Sequence, residues 1–292
     1  QTKPDPFMTQ PVVKRKRMPV HGVLLLDKAV DASSNQALIA IKRLLNAEKA
    51  GHTGTLDPFA TGLLPLCFGE ATKFAQDLLE ADKTYETTVH LGITTSTGDT
   101  EGEPLETKPV QVSVGQIELV LEKFRGPLQQ VPPMHSALKR DGKPLYEYAR
   151  QGITLEREAR AVTIHHLELL DYVAPLLKLK VTCSKGTYIR VLGEDIGRAL
   201  GCGAHLSALR RTVTGPFDAQ QCIRLSDLEA LAEPERQARL LPVDALLAGH
   251  EAVTLAPEDA GRFLSGVRRR GAWPDCARTA VYGQTPRALL GT

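Results

Sequence analysis

The chain has 292 residues, 42% of them hydrophobic and 24% charged, with a formal net charge of +2 at pH 7. That is ample apolar material for the core of one large domain and a small one, and the near-neutral balance sets up no global field pointing to nucleic acid. No apolar run is long enough to cross a bilayer. The N-terminal QTKPDPFMTQPVVKRKRM lacks the apolar middle and small-residue cleavage site of a secretory signal, so a cytoplasmic protein is the expectation. Cys67, Cys183, Cys202, Cys222 and Cys276 are scattered with no CxxC pair, which signals neither a disulfide framework nor a zinc ribbon. Cys202 and His205 stand three apart but lack two further ligands, so no metal is expected.

In chain order, residues 1–20 read as a flexible basic tail. GVLLLDK (Gly22–Lys28) is an apolar run ending in charge and predicts a buried strand. In the following SSNQALIAIKRLLN, Ser33 or Ser34 can cap a helix whose Leu38, Ile41 and Leu45 share a face. GHTGTLDPFATGLLP (51–65) reads as a contorted loop, and EATKFAQDLLEAD predicts a helix with Phe74 and Leu78 four apart. TYETTVHLG alternates: Tyr85, Thr87, Val89 and Leu91 face one way and Glu86, Thr88 and His90 the other, as in a strand. Thr94–Pro104 is polar and aperiodic and reads as a loop.

Ser113 and Gln116 form a capping box ahead of Ile117, Val120, Leu121 and Phe124 at helical spacing. Residues 125–152, rich in proline and basic residues, read as a mobile surface insertion with exposed tyrosines. LLKLKVTC alternates as a half-buried strand. Thr187 then caps a helix with Ile189, Leu192, Ile196 and Leu200 inward and Gly201 as its stop. After a helical stretch ending near Leu247, residues 250–292 read as short strand-like pieces of a separate β module. Three basic clusters, Lys14–Arg17, Lys139/Arg140/Lys143 and Arg268–Arg270, make a polyanion partner plausible despite the small net charge.

The loop at 51–65 carries one acid, Asp57. Pro58 pushes Asp57 out of helical geometry, and Gly51, Gly54 and Gly62 permit backbone angles and close approaches that a side chain forbids. A shaped loop between core elements is a frequent carrier of function. A lone carboxylate argues against a two-acid glycosidase. The Gly and Lys offsets of a phosphate-binding loop and the nucleophile-elbow and HExxH patterns are absent.

GVLLLDK, GHTGTLDPFATGLLP, KTYETTVHLG and CSKGTYIRVLGEDIG, in that order over residues 20–225, resemble the bacterial tRNA pseudouridine-55 synthases of the TruB type. The last segment resembles, more weakly, the small PUA-type RNA-binding domain of those enzymes, and is short for one, since the chain ends at LLGT. The resemblance implies an α/β (α+β) catalytic domain over 21–246, with a mixed, largely antiparallel sheet flanked by helices, a central cleft and 125–152 as an RNA-binding insertion. It implies a PUA-like module over 250–292.

The implied activity is isomerisation of uridine to pseudouridine at position 55 of the tRNA T loop, with base flipping and no cofactor. The implied partner is the T-arm stem-loop of tRNA, and the protein is expected to act as a monomer without an obligate protein partner. By similarity, Asp57 starts the reaction, either by adding to uracil C6 or by taking a ribose proton to give a glycal; both routes stay open. Arg190 of GTYIR pairs with Asp57 and keeps it ionised against desolvation. Tyr85 stacks on the target base and can accept the C5 proton, Tyr188 touches substrate, Leu209 lines the pocket and His52 enters the space the extruded base leaves. Lys28 is given a structural role. Two other readings compete: an RNA-binding protein that keeps the scaffold without the reaction, and an Asp-dependent nucleoside hydrolase.

Overall fold

Gly22–Lys28 forms the strand that its unbroken apolar run predicts, and the run is unbroken because both faces are covered. Leu24 and Leu26 join Ile41, Leu64 and Leu66 in the main core, while Val23 and Leu25 pack with Leu63, Cys67 and Phe217 on the opposite face. The computed structural model describes residues 16–267, 271, 273, 275–285 and 287–292. Residues 1–7, Met8 and the basic residues Lys14, Arg15, Arg268, Arg269 and Arg270 lie outside the described residues.

The main sheet is mixed and largely antiparallel. In spatial order its strands are Ile223–Arg224, Gly22–Lys28, Thr61–Phe68, Ala204–Thr214, Lys83–Leu91, Leu176–Cys183, Arg160–Val173 and Gly126–Gln130. Ala50–His52 adds to Thr61–Phe68 at one end. Helices Ser34–Leu44, Val114–Lys123 and Ile189–Ala199 contribute Ile41, Ile117, Val120, Leu192 and Ile196 to the main core. A second sheet, Glu251–Leu255, Thr279–Gln284 and Arg287–Gly291 with helix Pro257–Leu264, follows near the C-terminus. It meets the main body where Tyr282 donates to Asp244 (3.2 Å) and where His250 and Arg278 both face Asp77 (3.3 and 3.2 Å).

The two halves of the main sheet touch lightly. Thr61–Phe68 pairs with Gly22–Lys28 along its length, but meets Ala204–Thr214 only at Thr61–Arg210 and Gly62–Arg211, in parallel. Gly62 (φ +99°) is required at this seam: a Cβ there would stand 2.3 Å from the Arg211 carbonyl oxygen. The loop carrying Asp57 leads into this seam, so the sheet opens where the candidate chemistry sits.

Several expectations need correction. The loop read over 51–65 ends at Ala60, and Thr61–Phe68 is a buried strand. Pro65 is tolerated in it because its carbonyl, accepting from Thr53 N–H (3.2 Å), points into the gap between Ala50–His52 and Ala204–Thr214, and its missing N–H faces the same gap. The helix expected over 70–82 is a 3-10 turn, Gly69–Phe74, followed by a short helix, Gln76–Glu80. The loop after Thr94 holds a small antiparallel pair, Ile93–Thr95 with Pro104–Thr107.

Residues 126–130 of the expected insertion form the edge strand Gly126–Gln130, which pairs with Arg160–Ile164. The excursion that follows has its own order: a hairpin, Lys139–Arg140 with Lys143–Pro144, and helix Leu145–Arg150, with Tyr146 and Tyr148 half-buried. The end of the tail is also anchored, since Met18 N–H donates to Asn46 and Asn46 Nδ2 to Lys16. Of the two candidate serines, Ser33 caps the helix, in a capping box with Gln36. Thr187 does not cap: its hydroxyl donates back to Ser184 (2.8 Å) and Tyr188 holds the cap position. Among the described residues, no helix is long and apolar enough to cross a membrane.

Candidate active site

The Asp57 loop is held from below by buried side chains. Lys28, 1% exposed, donates from Nζ to the carbonyls of Ala29 (2.8 Å), Ala32 (2.6 Å) and Pro58 (3.2 Å). Ser34, next to the capping serine, both accepts from Leu56 N–H (2.8 Å) and donates to Leu56 O (2.9 Å). Arg211, equally buried, donates to Leu63 O (2.8 Å) and Gly54 O (3.0 Å). Asp57 O accepts from Ala60 N–H (3.0 Å), closing the turn. The carboxylate direction is thus fixed by backbone bonds on both sides of it before any substrate arrives.

Arg190 sits in the first turn of helix Ile189–Ala199, where the GTYIR spacing places it, but inside the protein rather than on a free face. Its Nε stands 2.9 Å from Asp57 Oδ2 and 3.5 Å from Asp99 Oδ2. Nη1 donates to Thr97 O (3.0 Å) and Nη2 to His135 O (2.6 Å). The side chains of Arg190 and Asp99 are 4% and 3% exposed, while that of Asp57 is 34% exposed. Asp57 Oδ1 takes part in no hydrogen bond or ion pair among the described residues.

Two cavities meet at Asp57 and Arg190. The smaller, about 330 Å³, is lined by Tyr85, Tyr188, Leu209 and Arg211 as well as the pair itself. The larger, about 670 Å³, has His52, Asp99, Glu101, His135 and Arg150 on its walls. Both fall in the size range of small-ligand sites. The structure therefore gathers all six sequence-predicted site residues: five around the smaller cavity, with His52 in the adjoining one.

Burial raises the Asp57 carboxyl above its ordinary value; Arg190 and Lys28 oppose the shift and Asp99 adds to it. Burial lowers Lys28 to about 8. The Tyr85 hydroxyl is raised by burial, with the Arg211 guanidinium beside it pulling the other way. His52 is lowered, by burial and then by Arg211, both of which favour the neutral ring. Among the described residues no group of three or more His, Cys, Asp or Glu side chains is arranged to hold a metal ion; His205 instead faces the Ile93 carbonyl (2.8 Å).

The N-terminal domain of the TruB family pseudouridylate synthases matches residues 42–189, and the tRNA pseudouridylate synthase B C-terminal domain matches residues 190–248. The chain belongs to the TruB family of pseudouridylate synthases. It is 60% identical to the tRNA pseudouridine synthase B of Verminephrobacter eiseniae, over 94% of this chain and 86% of the relative. It is 60% identical to the Ralstonia nicotianae protein of the same name, over 95% and 91%. Among solved structures it resembles a chain of a Cbf5-Nop10-Gar1 complex, with 29% identity, a TM-score of 0.70 and coverage of 90% of this chain and 75% of that one. A chain of an H/ACA RNP bound to a substrate RNA containing 2′-deoxyuridine matches at 28% identity and a TM-score of 0.68, over 90% and 74%.

In this TruB-family chain the acid at 57 is not solitary, contrary to the sequence reading. Asp99 faces the same arginine, and its Oδ1 is held by Thr97 Oγ1 (2.5 Å) and Glu101 N–H (2.9 Å). The signal was the run of turn-forming residues TGDT, in which an aspartate bonds the backbone two residues on. Arg211, two residues beyond Leu209, carries no expectation from the sequence; nothing in its spacing distinguishes a buried arginine from a surface one.

Proposed function

We propose that this pseudouridine synthase acts on tRNA at uridine 55 of the T loop, and that Asp57 begins the reaction on a base turned out of the RNA. The carrying observation is the 2.9 Å contact between Arg190 and Asp57 where the two cavities meet. The relatives named tRNA pseudouridine synthase B support tRNA as the substrate.

Uridine and pseudouridine are isomers. The N1–C1′ bond breaks, a C5–C1′ bond forms, and the proton lost from C5 is balanced by one gained at N1, so no co-reactant is consumed. Asp57 initiates either by adding to C6 or by removing a ribose proton. Both need the ionised carboxylate, which Arg190 and Lys28 favour against burial. Tyr85 stacks on the base; as the phenolate, which the Arg211 guanidinium beside it favours against burial, it takes the C5 proton and becomes the neutral phenol. Tyr188 and Leu209 close the smaller cavity around the base, and His52 stands in the adjoining one.

Flipping a base out of a folded loop costs a few kcal/mol. The exposed Lys139 and Arg140 and half-exposed Lys143 of the excursion supply offsetting phosphate contacts, and the three-stranded sheet is a further RNA-contacting module of PUA type. Incubation with an unmodified tRNA transcript, followed by pseudouridine mapping, tests the reading. Product at position 55 is expected with the unaltered protein, and none with Asp57→Asn despite retained RNA binding. Product from Asp57→Asn, or modification elsewhere, defeats it; free uracil would point to a hydrolase.

A further inference from the structure

Gln130, the last residue of the edge strand, is 4% exposed and makes both of its amide bonds to one residue. Its Oε1 accepts from Tyr188 N–H (2.9 Å) and its Nε2 donates to Tyr188 O (3.1 Å). Tyr188 has extended backbone (φ −98°, ψ 108°) and caps helix Ile189–Ala199 without a side-chain bond of its own. An antiparallel strand neighbour would exchange these same two bonds with Tyr188. The amide thus takes the place of a missing strand at the helix start. Only an amide side chain offers a donor and an acceptor side by side for this; a carboxylate, hydroxyl or ammonium offers part of the pair.

Arg190 lies two residues beyond that clamp. From the helix's first turn it must reach Asp57 while donating to Thr97 O on one segment and His135 O on another. His135 follows Gln130 by five residues, so the same stretch of chain fixes the helix start and accepts from the guanidinium. We propose that Gln130 is a positioning residue for the reaction: by clamping the Tyr188 backbone it sets the height of the helix N-terminus and hence the approach of Arg190 to Asp57. The inference rests on the reading of Asp57 and Arg190 as the reacting pair. Displacements of about 1 Å at such a pair lower rates by about 10²-fold.

The test compares the unaltered protein with Gln130→Met, which keeps chain length and removes both bonds, and Gln130→Glu, which keeps the acceptor alone. Single-turnover pseudouridine formation, tRNA affinity and urea unfolding are measured on each. Both variants are expected to lose about 10- to 100-fold in rate with tRNA affinity changed less than about threefold. In Gln130→Met, no charge has been altered near Asp57 or around the Arg190, Lys28, Asp99 and Glu101 groups that face it. Its acid limb of activity is nonetheless expected at higher pH, because a displaced Arg190 stabilises the carboxylate less.

A wild-type rate in either folded variant overturns the inference. So does a rate loss matching the unfolded fraction with an unmoved acid limb. Asp57→Asn, run in parallel, separates the two claims: if it is active, the reading of Asp57 fails, and if it is inert while Gln130→Met is wild-type-like, the clamp alone fails.

Discussion

The loop from Thr53 to Ala60 and the excursion from Val131 to Ala159 face the same cavities from opposite sides, and they are built differently. The loop buries Thr53, Leu56, Phe59 and Ala60, and its backbone is bonded by Lys28, Ser34 and Arg211 from the sheet and helix beneath. The excursion is bonded mainly to itself, as in Leu145 N–H to Leu138 O and Tyr146 N–H to Ser136 O, and is tied to the site by the bond from Arg190 to His135 O. Chemistry needs fixed geometry to within fractions of an ångström; wrapping an RNA loop needs charge and the freedom to adapt. On the proposed function these demands fall on separate segments, and Arg190 touches both.

The largest effect should come from the rigid side. Asp57→Asn keeps the shape of the loop and removes the proposed nucleophile or base; on that proposal pseudouridine formation should fall by about 10⁴-fold or more while tRNA affinity in a filter-binding assay is retained. Arg190→Lys should lose about 10²- to 10³-fold, since a single ammonium nitrogen lacks the planar fork whose three separate nitrogens reach Asp57, Thr97 O and His135 O. If Arg190→Lys retained its rate, the link between the two regions would carry no catalytic weight.

The pH profile follows with its sign. In the proposed reaction the active form of Asp57 is the carboxylate, and burial raises its pKa. Activity should therefore fall on acidification at a pH above the ordinary carboxylate range. Arg190→Asn, lacking the opposing cation, should move that limb higher still; an acid limb near pH 4 in the unaltered enzyme would contradict the assignment.

Lys28 sharpens the comparison through stability. Lys28→Met leaves three carbonyls short of a donor, and should destabilise by about 1–3 kcal/mol in urea unfolding. The pH dependence has a definite sign. With a folded pKa of about 8 against 10.5 unfolded, the unfolded chain binds more protons between those values, so Lys28 contributes stability that increases as pH rises through that window. The difference between the unaltered protein and Lys28→Met should widen from pH 8 to 10.5; a constant difference would show that burial does not penalise the ammonium.

How far the sequence revealed this arrangement depended on whether a segment kept its period. GVLLLDK, the capped helices at Ser33 and Ser113 and the alternating KTYETTVHL were legible because nothing interrupts them. The strands Arg160–Val173 and Ala204–Thr214 went unread because each has two register shifts that break the alternation, at Ile164/His166 and Leu169/Asp171 in one and Leu206/Ala208 and Arg211/Val213 in the other. The six site residues came from motif resemblance, since a lone aspartate on a Gly/Pro-shaped loop does not by itself specify a reaction. Asp99 and Gln130 escaped because their roles are defined by partners 91 and 58 residues away along the chain, and no local spacing encodes such a pairing.

The smallest expected effect tests the adaptable side. Lys139 and Arg140 are exposed, and Lys143 lies over the Tyr148 ring at 4.9 Å from its centroid. Replacing all three by alanine removes charge without touching the bonds around Asp57. If they contact phosphates, tRNA binding should weaken by about 10-fold at moderate salt, and the slope of log affinity against log salt should become shallower by about 2, at ~0.7 per lost contact. The defect should appear in KM and shrink at saturating tRNA, because the reacting geometry is set by the other segment. An unchanged salt slope would mean that the RNA is gripped elsewhere. A fall in the saturated rate as large as that of Arg190→Lys would mean that the two segments do not divide the work, and that closing the excursion is itself part of assembling the site.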